Sequence, residues 1–335
     1  AELDDESCIY SPWEYSLTDC NMTVLIPENI TMTIDDDPLL YGDWIGAFYE
    51  NEFGELVCGG AVMWKEETTS IALWGSELNV NNGFVENQDI FWKAISNQEE
   101  RVLIPTYSFG TNNYSCNSLG GLDDLVIYSQ NIFLPPGWSI FSSYINPIEN
   151  NLDKLFESTD EVVIIKNEMG DVYWPFLGIN QIGSLSFDEG YIIKMDYYGN
   201  GFNLFLEGDL IPADTQLNFD EGWSIISYLN PQPGLVEEML SSIESELIIV
   251  KDEDGLIWWP YFGVNSMEMM YPGKGYQIKM STESIFSYPL NSNSRWHNLD
   301  EINHFTYFYP AKKSDHNMTI GIPIHSWVDY SPRIG

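Results

Sequence analysis

The phrase GDVYWPFLGINQIGSLSFDEGYIIKM, residues 170–195, recurs 85 positions later as GLIWWPYFGVNSMEMMYPGKGYQIKM, residues 255–280. The match extends towards the N-terminus, because GWSI at residues 137–140 recurs with the same offset at residues 222–225. An aromatic phrase that keeps one offset over this distance indicates an internal duplication.

The offset also locates the difference in length between the two copies. Lys166 recurs as Lys251, whereas the segment between Pro147 and Lys166 is displaced by one residue. A loop absorbs such a change without disturbing the register of its neighbours. We therefore predict two small tandem α+β modules, repeat 1 at residues 131–210 and repeat 2 at residues 211–290.

Each repeat is predicted to contain a strand, a short helix, a hairpin and a closing strand. Leu152, Leu155 and Phe156 have the spacing of one helical face. Met169-Gly170 in repeat 1 and Asp254-Gly255 in repeat 2 separate β-prone runs. Asp-Gly is a strong signal for a two-residue hairpin turn, because both positions tolerate positive φ.

The repeated aromatic residues have two interpretations. Trp138 and Trp223 are predicted to be large apolar anchors, because a module of about 80 residues has a thin core. Two adjacent pairs offer a flat platform on which a sugar ring stacks, with one member of each pair facing outward because side chains alternate along a strand. The candidate platform residues are Tyr173, Trp174, Trp258 and Trp259.

Residues 1–130 alternate β-prone runs with turn residues about every ten positions, which is typical of a β-sandwich. The run NMTVLIP at residues 21–27 returns as NMTIGIP at residues 317–323. Half a sandwich cannot bury its inner face. We therefore expect residues 291–335 to be a linker plus an incomplete second copy of the first module, in a fragment of a longer chain or in one completed by a neighbour. The strand in residues 305–335 is expected to dock within the chain or to pair with another chain.

Charge limits the possible partners. The 335 residues include 51 acidic and 13 basic side chains, for a net charge of −38. Nucleic acids and anionic membranes are excluded, because phosphate contacts need Lys and Arg. No run approaches 18 apolar residues, so we expect no membrane insertion. The chain begins at Ala1-Glu2 without a basic and apolar leader, from which we expect a mature exported protein with an extracellular or cell-surface location.

The acidic residues have a simple interpretation and a more specific one. A carboxylate-rich surface suits a salty medium, where ions screen the repulsion. Alternatively, clustered carboxylates bind Ca²⁺, which takes 6–8 oxygen ligands. No run matches the EF-hand spacing, and we expect no cofactor other than possible Ca²⁺. The candidate ligands are Asp35, Asp36, Asp37, Asp43, Asp123 and Asp124.

Cysteine and histidine positions argue against metalloenzyme and hydrolase chemistry. None of the cysteines forms a C-x-x-C pair, so zinc is not expected. An even number of scattered cysteines favours disulfides, with three possible connectivities; we favour Cys8–Cys20 and Cys58–Cys116, and four buried thiols are the alternative. The histidines, which a hydrolytic triad would need near its nucleophile, all lie in the last 39 residues. They are His297, His304, His316 and His325.

The phrase at residues 42–75, followed by the two repeats, resembles modules of large secreted and cell-surface proteins of marine Bacteroidota, usually exported by the type IX secretion route. The resemblance covers nearly the whole chain and implies an extracellular multidomain protein. It carries no catalytic residues.

We therefore predict a non-catalytic extracellular modular protein with an adhesive, carbohydrate-binding or structural role at the cell surface. Its partner would be an extracellular glycan or protein. Duplicated modules favour this function because repetition multiplies weak contacts into avidity. The first alternative is a self-assembling filament or sheath subunit that binds copies of itself. The second is an accessory region of a polysaccharide-degrading enzyme, since two carboxylates suffice for a glycosidase.

Overall fold

The computed structural model describes residues 10–78 and 80–289, and these residues form a mainly β protein with several sheets. The chain divides into two compact units between Tyr128 and Ser129. The predicted mainly β fold class, with a sandwich-like module and short helices in the repeats, is confirmed. The predictions for residues 291–335, for the four histidines and for Cys8 lie outside the described residues.

The first unit contains nine strands, the last of which continues into the second unit. They are β1 (Asn21–Ile26), β2 (Thr31–Ile34), β3 (Asp37–Pro38), β4 (Trp44–Glu50), β5 (Leu56–Met63), β6 (Thr69–Trp74), β7 (Phe91–Ser96), β8 (Glu99–Phe109) and β9 (Leu119–Leu134).

These strands form two layers that share the long strand β8. Its first half pairs with β7, which continues the antiparallel order to β4 and β5. Its second half pairs with β9, which in turn pairs in parallel with β1 and β2. The apolar side chains between the layers, including Trp92, Phe84 and Leu125, are buried. Alternation of apolar and polar residues along each strand therefore produces the expected sandwich-like core.

A glycine bulge is present in the β4–β5 pair. The register shifts at Gly59, because Ala47 pairs with Gly60 and Phe48 pairs with Cys58. A Cβ on Gly59 would lie 2.3 Å from the Phe84 ring. Glycine is required here because the core ring packs directly against the bulged backbone.

The predicted disulfide pairing is wrong. Cys20 is bonded to Cys116, and Cys58 is a free, buried thiol. Cys20 directly precedes β1, and Cys116 lies shortly before β9, which pairs in parallel with β1. This pairing brings the two cysteines together across a sequence separation of 96 residues. Burial raises the pKa of the Cys58 thiol to about 11.

The second unit contains the remaining strands and two one-turn α-helices. In repeat 1 these are β10 (Gly137–Phe141), β11 (Ile145–Pro147), α1 (Leu152–Leu155), β12 (Val162–Lys166), β13 (Val172–Trp174), β14 (Ile179–Asn180), β15 (Tyr191–Met195) and β16 (Phe202–Leu210). In repeat 2 they are β17 (Leu217–Phe219), β18 (Gly222–Ser227), β19 (Gly234–Leu235), α2 (Val236–Met239), β20 (Leu247–Lys251), β21 (Ile257–Trp259), β22 (Val264–Asn265), β23 (Met269–Met270), β24 (Gly275–Met280) and β25 (Ser284–Phe286).

Each repeat builds the same five-stranded antiparallel sheet. The strand order is β10-β15-β12-β13-β14 in repeat 1 and β18-β24-β20-β21-β22 in repeat 2. The inner face of each sheet packs on its own core, which contains Phe156 and Tyr173 in repeat 1 and Met239 and Trp258 in repeat 2. Because α1 and α2 both lie on the core side, the outer face of each sheet carries a separate set of side chains.

The predicted helical face is confirmed, and the predicted turn type is wrong. Asn151 caps α1 by accepting a hydrogen bond from the Asp153 N–H, and Leu152 and Phe156 are buried. In the hairpins only the glycine, Gly170 or Gly255, has positive φ. The first residue of each turn, Asn167 or Asp252, closes the turn with its side-chain oxygen, which accepts hydrogen bonds from backbone N–H groups later in the turn. An Asx side chain therefore replaces the expected two-residue turn.

The two repeats contact each other through equivalent residues. A Cβ on Gly190 would collide with the backbone and side chains of residues 225–226, and a Cβ on Gly275 would collide with those of residues 140–141. These two contacts are related by the 85-residue offset of the duplication. Reciprocal contacts of this kind define an isologous interface, so the repeats pack with local pseudo-two-fold symmetry.

Within the described part of the chain, no helix has the length and apolar character needed to cross a bilayer.

Candidate functional site

The outer face of the repeat 1 sheet carries a row of side chains that begins with an aromatic group and ends with an aliphatic one. Trp138 pairs with Lys194, Lys194 pairs with Ile164, and Trp174 pairs with Ile179 on the edge strand. Ile164 adjoins Trp174, because the next residues along the two strands, Ile165 and Tyr173, are paired. Paired residues share one face of an antiparallel sheet, so this row crosses all five strands on one side.

Repeat 2 carries the same row. Trp223 pairs with Lys279, Lys279 pairs with Ile249, and Trp259 pairs with Val264. Three strand spacings of about 4.8 Å separate the two tryptophans, which gives about 14 Å between their backbone positions. We call the set Trp138, Ile164, Trp174, Lys194 and its counterpart Trp223, Ile249, Trp259, Lys279 the tryptophan rows.

The expectation that Trp138 and Trp223 anchor the cores is wrong. Trp223 is 52% exposed, and Trp138 is half-buried outside the core cluster of its repeat. The core side of β10 carries the buried residues Ser139 and Phe141 instead, and that of β18 carries Ser224 and Ile226.

Lysine ammonium groups lie against both outer tryptophan rings. In repeat 1 the Nζ atoms of Lys166 and Lys194 are 5.0 and 5.4 Å from the Trp138 ring centroid. In repeat 2 those of Lys251 and Lys279 are 4.9 and 5.8 Å from the Trp223 ring centroid. These distances are within the range of cation–π attraction, which holds the rings in place on the sheet. Burial lowers the pKa of the Lys251 ammonium group.

The four residues predicted as a ligand platform divide between the two faces of each sheet. Tyr173 and Trp258 are each only 4% exposed and belong to the cores, so they offer no surface to a ligand. Trp174 is 36% exposed and Trp259 is half-buried on the outer face. Strand alternation accounts for this division, because the members of each pair are consecutive residues.

A short aromatic corner follows each outward tryptophan. Trp174 and Trp259 each precede a 3₁₀ turn, Pro175–Leu177 or Pro260–Phe262. Each turn ends at a glycine with φ of 64° or 62°, whose N–H donates to the proline carbonyl. Proline fixes the first φ, and glycine accepts the left-handed conformation without strain. The corner therefore presents its central ring, Phe176 or Tyr261, almost fully to solvent.

The corner of repeat 2 forms one wall of a surface groove of about 770 Å³. The rings of Trp259 and Tyr261 each contact Phe262 edge to face, with centroid distances of 4.7 and 4.9 Å. The lining combines these apolar rings with hydroxyl and carboxylate groups. Such a mixture suits a ligand that has both an apolar face and hydroxyl groups. The polar lining residues are Ser241, Glu244, Ser245 and Ser281.

The six aspartates predicted as Ca²⁺ ligands occupy several places in the first unit. Asp35 and Asp36 form the β2–β3 turn with positive φ, and Asp35 lies 3.6 Å from Arg101. Asp43 accepts a backbone N–H and a serine hydroxyl, and Asp124 accepts a threonine hydroxyl. Among residues 10–78 and 80–289, no group of three or more His, Cys, Asp or Glu side chains is placed to hold a metal ion. Calcium binding stays a prediction.

No family model matches the chain, and no curated protein or solved structure matches it significantly. The resemblance to secreted Bacteroidota modules therefore stays a prediction.

The sequence carried a signal for the rows that the platform prediction missed. Trp138, Lys166 and Lys194 all recur at the same offset, and two of them are direct cross-strand partners. Repeated lysines in so acidic a chain mark positions where a cation has a specific contact.

Proposed function

We propose that the chain is a non-catalytic extracellular binding protein whose two repeats hold carbohydrate on their outer sheet faces. The tryptophan rows are the binding surfaces, and the aromatic corners extend them. The first unit and the disulfide serve as a scaffold suited to an oxidising compartment.

The observation that supports this function is the duplication of an outward tryptophan row. Tryptophan is highly buried on average, yet each repeat holds two tryptophans on the solvent side of one sheet. The carbon–hydrogen face of a sugar ring is apolar and flat, so it stacks on such rings with loss of exposed apolar area. A span of about 14 Å between the tryptophans accommodates several rings of a polymer.

The test is binding of the full chain to a panel of soluble polysaccharides, measured by affinity electrophoresis and by calorimetry. Trp223→Ala and Trp138→Ala, alone and combined, are compared with Phe205→Ala, which removes an exposed ring from β16 outside both rows. Each single variant is expected to weaken binding by about tenfold, since a stacked aromatic contributes on the order of 1–2 kcal/mol. The double variant is expected to abolish it.

Two results would contradict the proposal. One is the absence of binding to every member of the panel, and the other is equal loss in Phe205→Ala and in the row variants. Light scattering across concentration tests the alternative of self-assembly, since a filament subunit would gain mass. Release of reducing ends from a bound polymer would contradict the non-catalytic role.

A further inference from the structure

We propose that the lysine pairs make each tryptophan row selective for acidic sugars, in which a carboxylate or sulfate group lies beside the stacked ring. This inference rests on the proposed carbohydrate-binding function. Lys194 and Lys279 are the residues that determine the selectivity, with Lys166 and Lys251 beside them.

The distribution of positive charge carries the argument. Residues 129–289 contain six lysines and no arginine, and four of the six lie against the two outer tryptophans. Lys154 and Lys274 lie away from these rings, beside Glu157 and Glu253. Basic residues are scarce in a chain with a net charge of −38, and the duplication places the same lysine pair on an equivalent ring in each repeat. The positive charge of this unit is therefore concentrated where a ligand would stack.

The ammonium groups of Lys194 and Lys279 are placed to contact a bound ligand as well as the tryptophan ring. Lys194 and Lys279 are direct cross-strand partners of Trp138 and Trp223, so each stands between the outer tryptophan and the rest of its row. A sugar ring laid along the row crosses this lysine before it reaches Trp174 or Trp259. A carboxylate or sulfate on that ring accepts a charge-assisted hydrogen bond, which is about twice as strong as a neutral one.

The two ends of the repeat 2 row differ in chemistry. At the Trp223 end two ammonium groups favour an anion. At the Trp259 end the groove offers serine hydroxyls and the Glu244 carboxylate, which favour sugar hydroxyl groups and oppose an anion. An acidic sugar is therefore expected to bind with its charged group towards Trp223 and its neutral neighbour towards Trp259.

The experiment compares polymers that differ only in charge. The full chain is titrated with dextran and dextran sulfate, and with hydroxyethyl cellulose and carboxymethyl cellulose, so that sulfate and carboxylate are tested separately. The salt concentration is 0.5 M NaCl, where a Debye length of about 4 Å suppresses the repulsion between a polyanion and the acidic surface. The variants are Lys194→Gln with Lys279→Gln, the same pair changed to Arg, and Lys154→Gln as an exposed lysine outside the rows.

The wild type is expected to bind at least one acidic polymer about tenfold more tightly than its neutral partner, since a charged hydrogen bond contributes on the order of 1.4 kcal/mol. The Gln pair is expected to lose this preference, so that it binds the acidic polymer no more tightly than the neutral one. The Arg pair and Lys154→Gln are expected to keep the preference.

Equal affinity for acidic and neutral polymers would overturn the inference and leave the proposed function intact. A preference for acidic polymers that survives in the Gln pair would also overturn it, because the charge would then be recognised elsewhere. Binding to none of the four polymers, nor to any other member of the polysaccharide panel, would overturn both proposals.

Discussion

Replacement of Asp252 by asparagine should stabilise repeat 2 at neutral pH and leave its stability unchanged in acid. Asp252 closes the β20–β21 turn, where it accepts the N–H groups of Asp254 and Leu256 at 2.9 and 2.8 Å. Burial raises the pKa of its carboxyl group from 3.8 to about 6, and the neighbouring Glu253 and Asp254 add to the effect. Repeat 1 has Asn167 at the equivalent position, and its amide oxygen accepts the same turn hydrogen bond at 2.9 Å.

The sign and size of the effect follow from proton linkage. Because the folded-state pKa of Asp252 lies above that of the unfolded chain, the folded protein holds the proton more tightly between pH 3.8 and about 6. Stability is therefore lost as the pH rises through this window, and the loss is complete above it. The difference between the two pKa values, 3.8 and about 6, corresponds to a loss of roughly 3 kcal/mol in the free energy of unfolding. We expect a loss of about 2–3 kcal/mol at pH 7.

Urea unfolding followed by tryptophan fluorescence at pH 4, 5, 6 and 7 measures this difference. Asp252→Asn should match the wild type near pH 4 and exceed its free energy of unfolding by about 2–3 kcal/mol at pH 7. The converse change, Asn167→Asp, should lower the stability of repeat 1 at pH 7 and not at pH 4. Asp214→Asn removes an exposed carboxylate from the same unit and controls for net charge. A stability difference that does not change with pH would refute the reasoning, because the effect would then not come from titration of Asp252.

Three other predictions concern the scaffold. Replacing Cys20 and Cys116 by serine should lower the free energy of unfolding of the first unit by about 4–5 kcal/mol, since the bond closes a loop of about 100 residues; an unchanged urea midpoint would contradict this. Gly190→Ala and Gly275→Ala should each cost about 1–3 kcal/mol, because the added Cβ would lie 2.8 or 2.7 Å from atoms of the other repeat; melting temperatures equal to the wild type would count against the isologous contact. Calcium at 100 times its dissociation constant should stabilise the first unit by about 2.7 kcal/mol, and equal melting temperatures in chelator and in millimolar Ca²⁺ would reject the metal prediction.

The duplication and the strand pattern were predictable because both are local properties of the sequence. A constant offset shows which elements are equivalent, and alternation divides each strand into two faces. Alternation does not say which face meets the core, as β10 illustrates. Its buried face carries Ser139 and its exposed face carries Trp138, so hydrophobicity alone assigned the tryptophan to the wrong side. The core of repeat 1 instead contains Phe141 from the buried face of β10, together with Leu152 and Phe156 from the helical segment.

The disulfide was not predictable for a different reason. Cys20 and Cys116 meet because β1 and β9 pair in parallel, with Thr23 opposite Leu119. Parallel pairing between strands so far apart in sequence depends on the layer order of the whole unit. The spacing of cysteines carries no information on that order. The platform residues were half predictable, because alternation required one member of each pair to face outward and the structure shows that Trp174 and Trp259 do.

Under the proposed function, the isologous contact between the repeats would give two rows an advantage over one. Gly190 and Gly275 fix the repeats against each other through their backbones, so the second row lies at a set distance and angle from the first. A flexible linker would lower the effective concentration of the second row once a polymer has bound the first. A rigid pair keeps that concentration high for any polymer that reaches both rows. A polymer whose shape does not allow it to reach both rows would bind only one of them and would gain no such advantage. A single-row variant should therefore lose far more affinity for long chains than for short oligosaccharides, and equal loss for both lengths would mean that the two rows act independently.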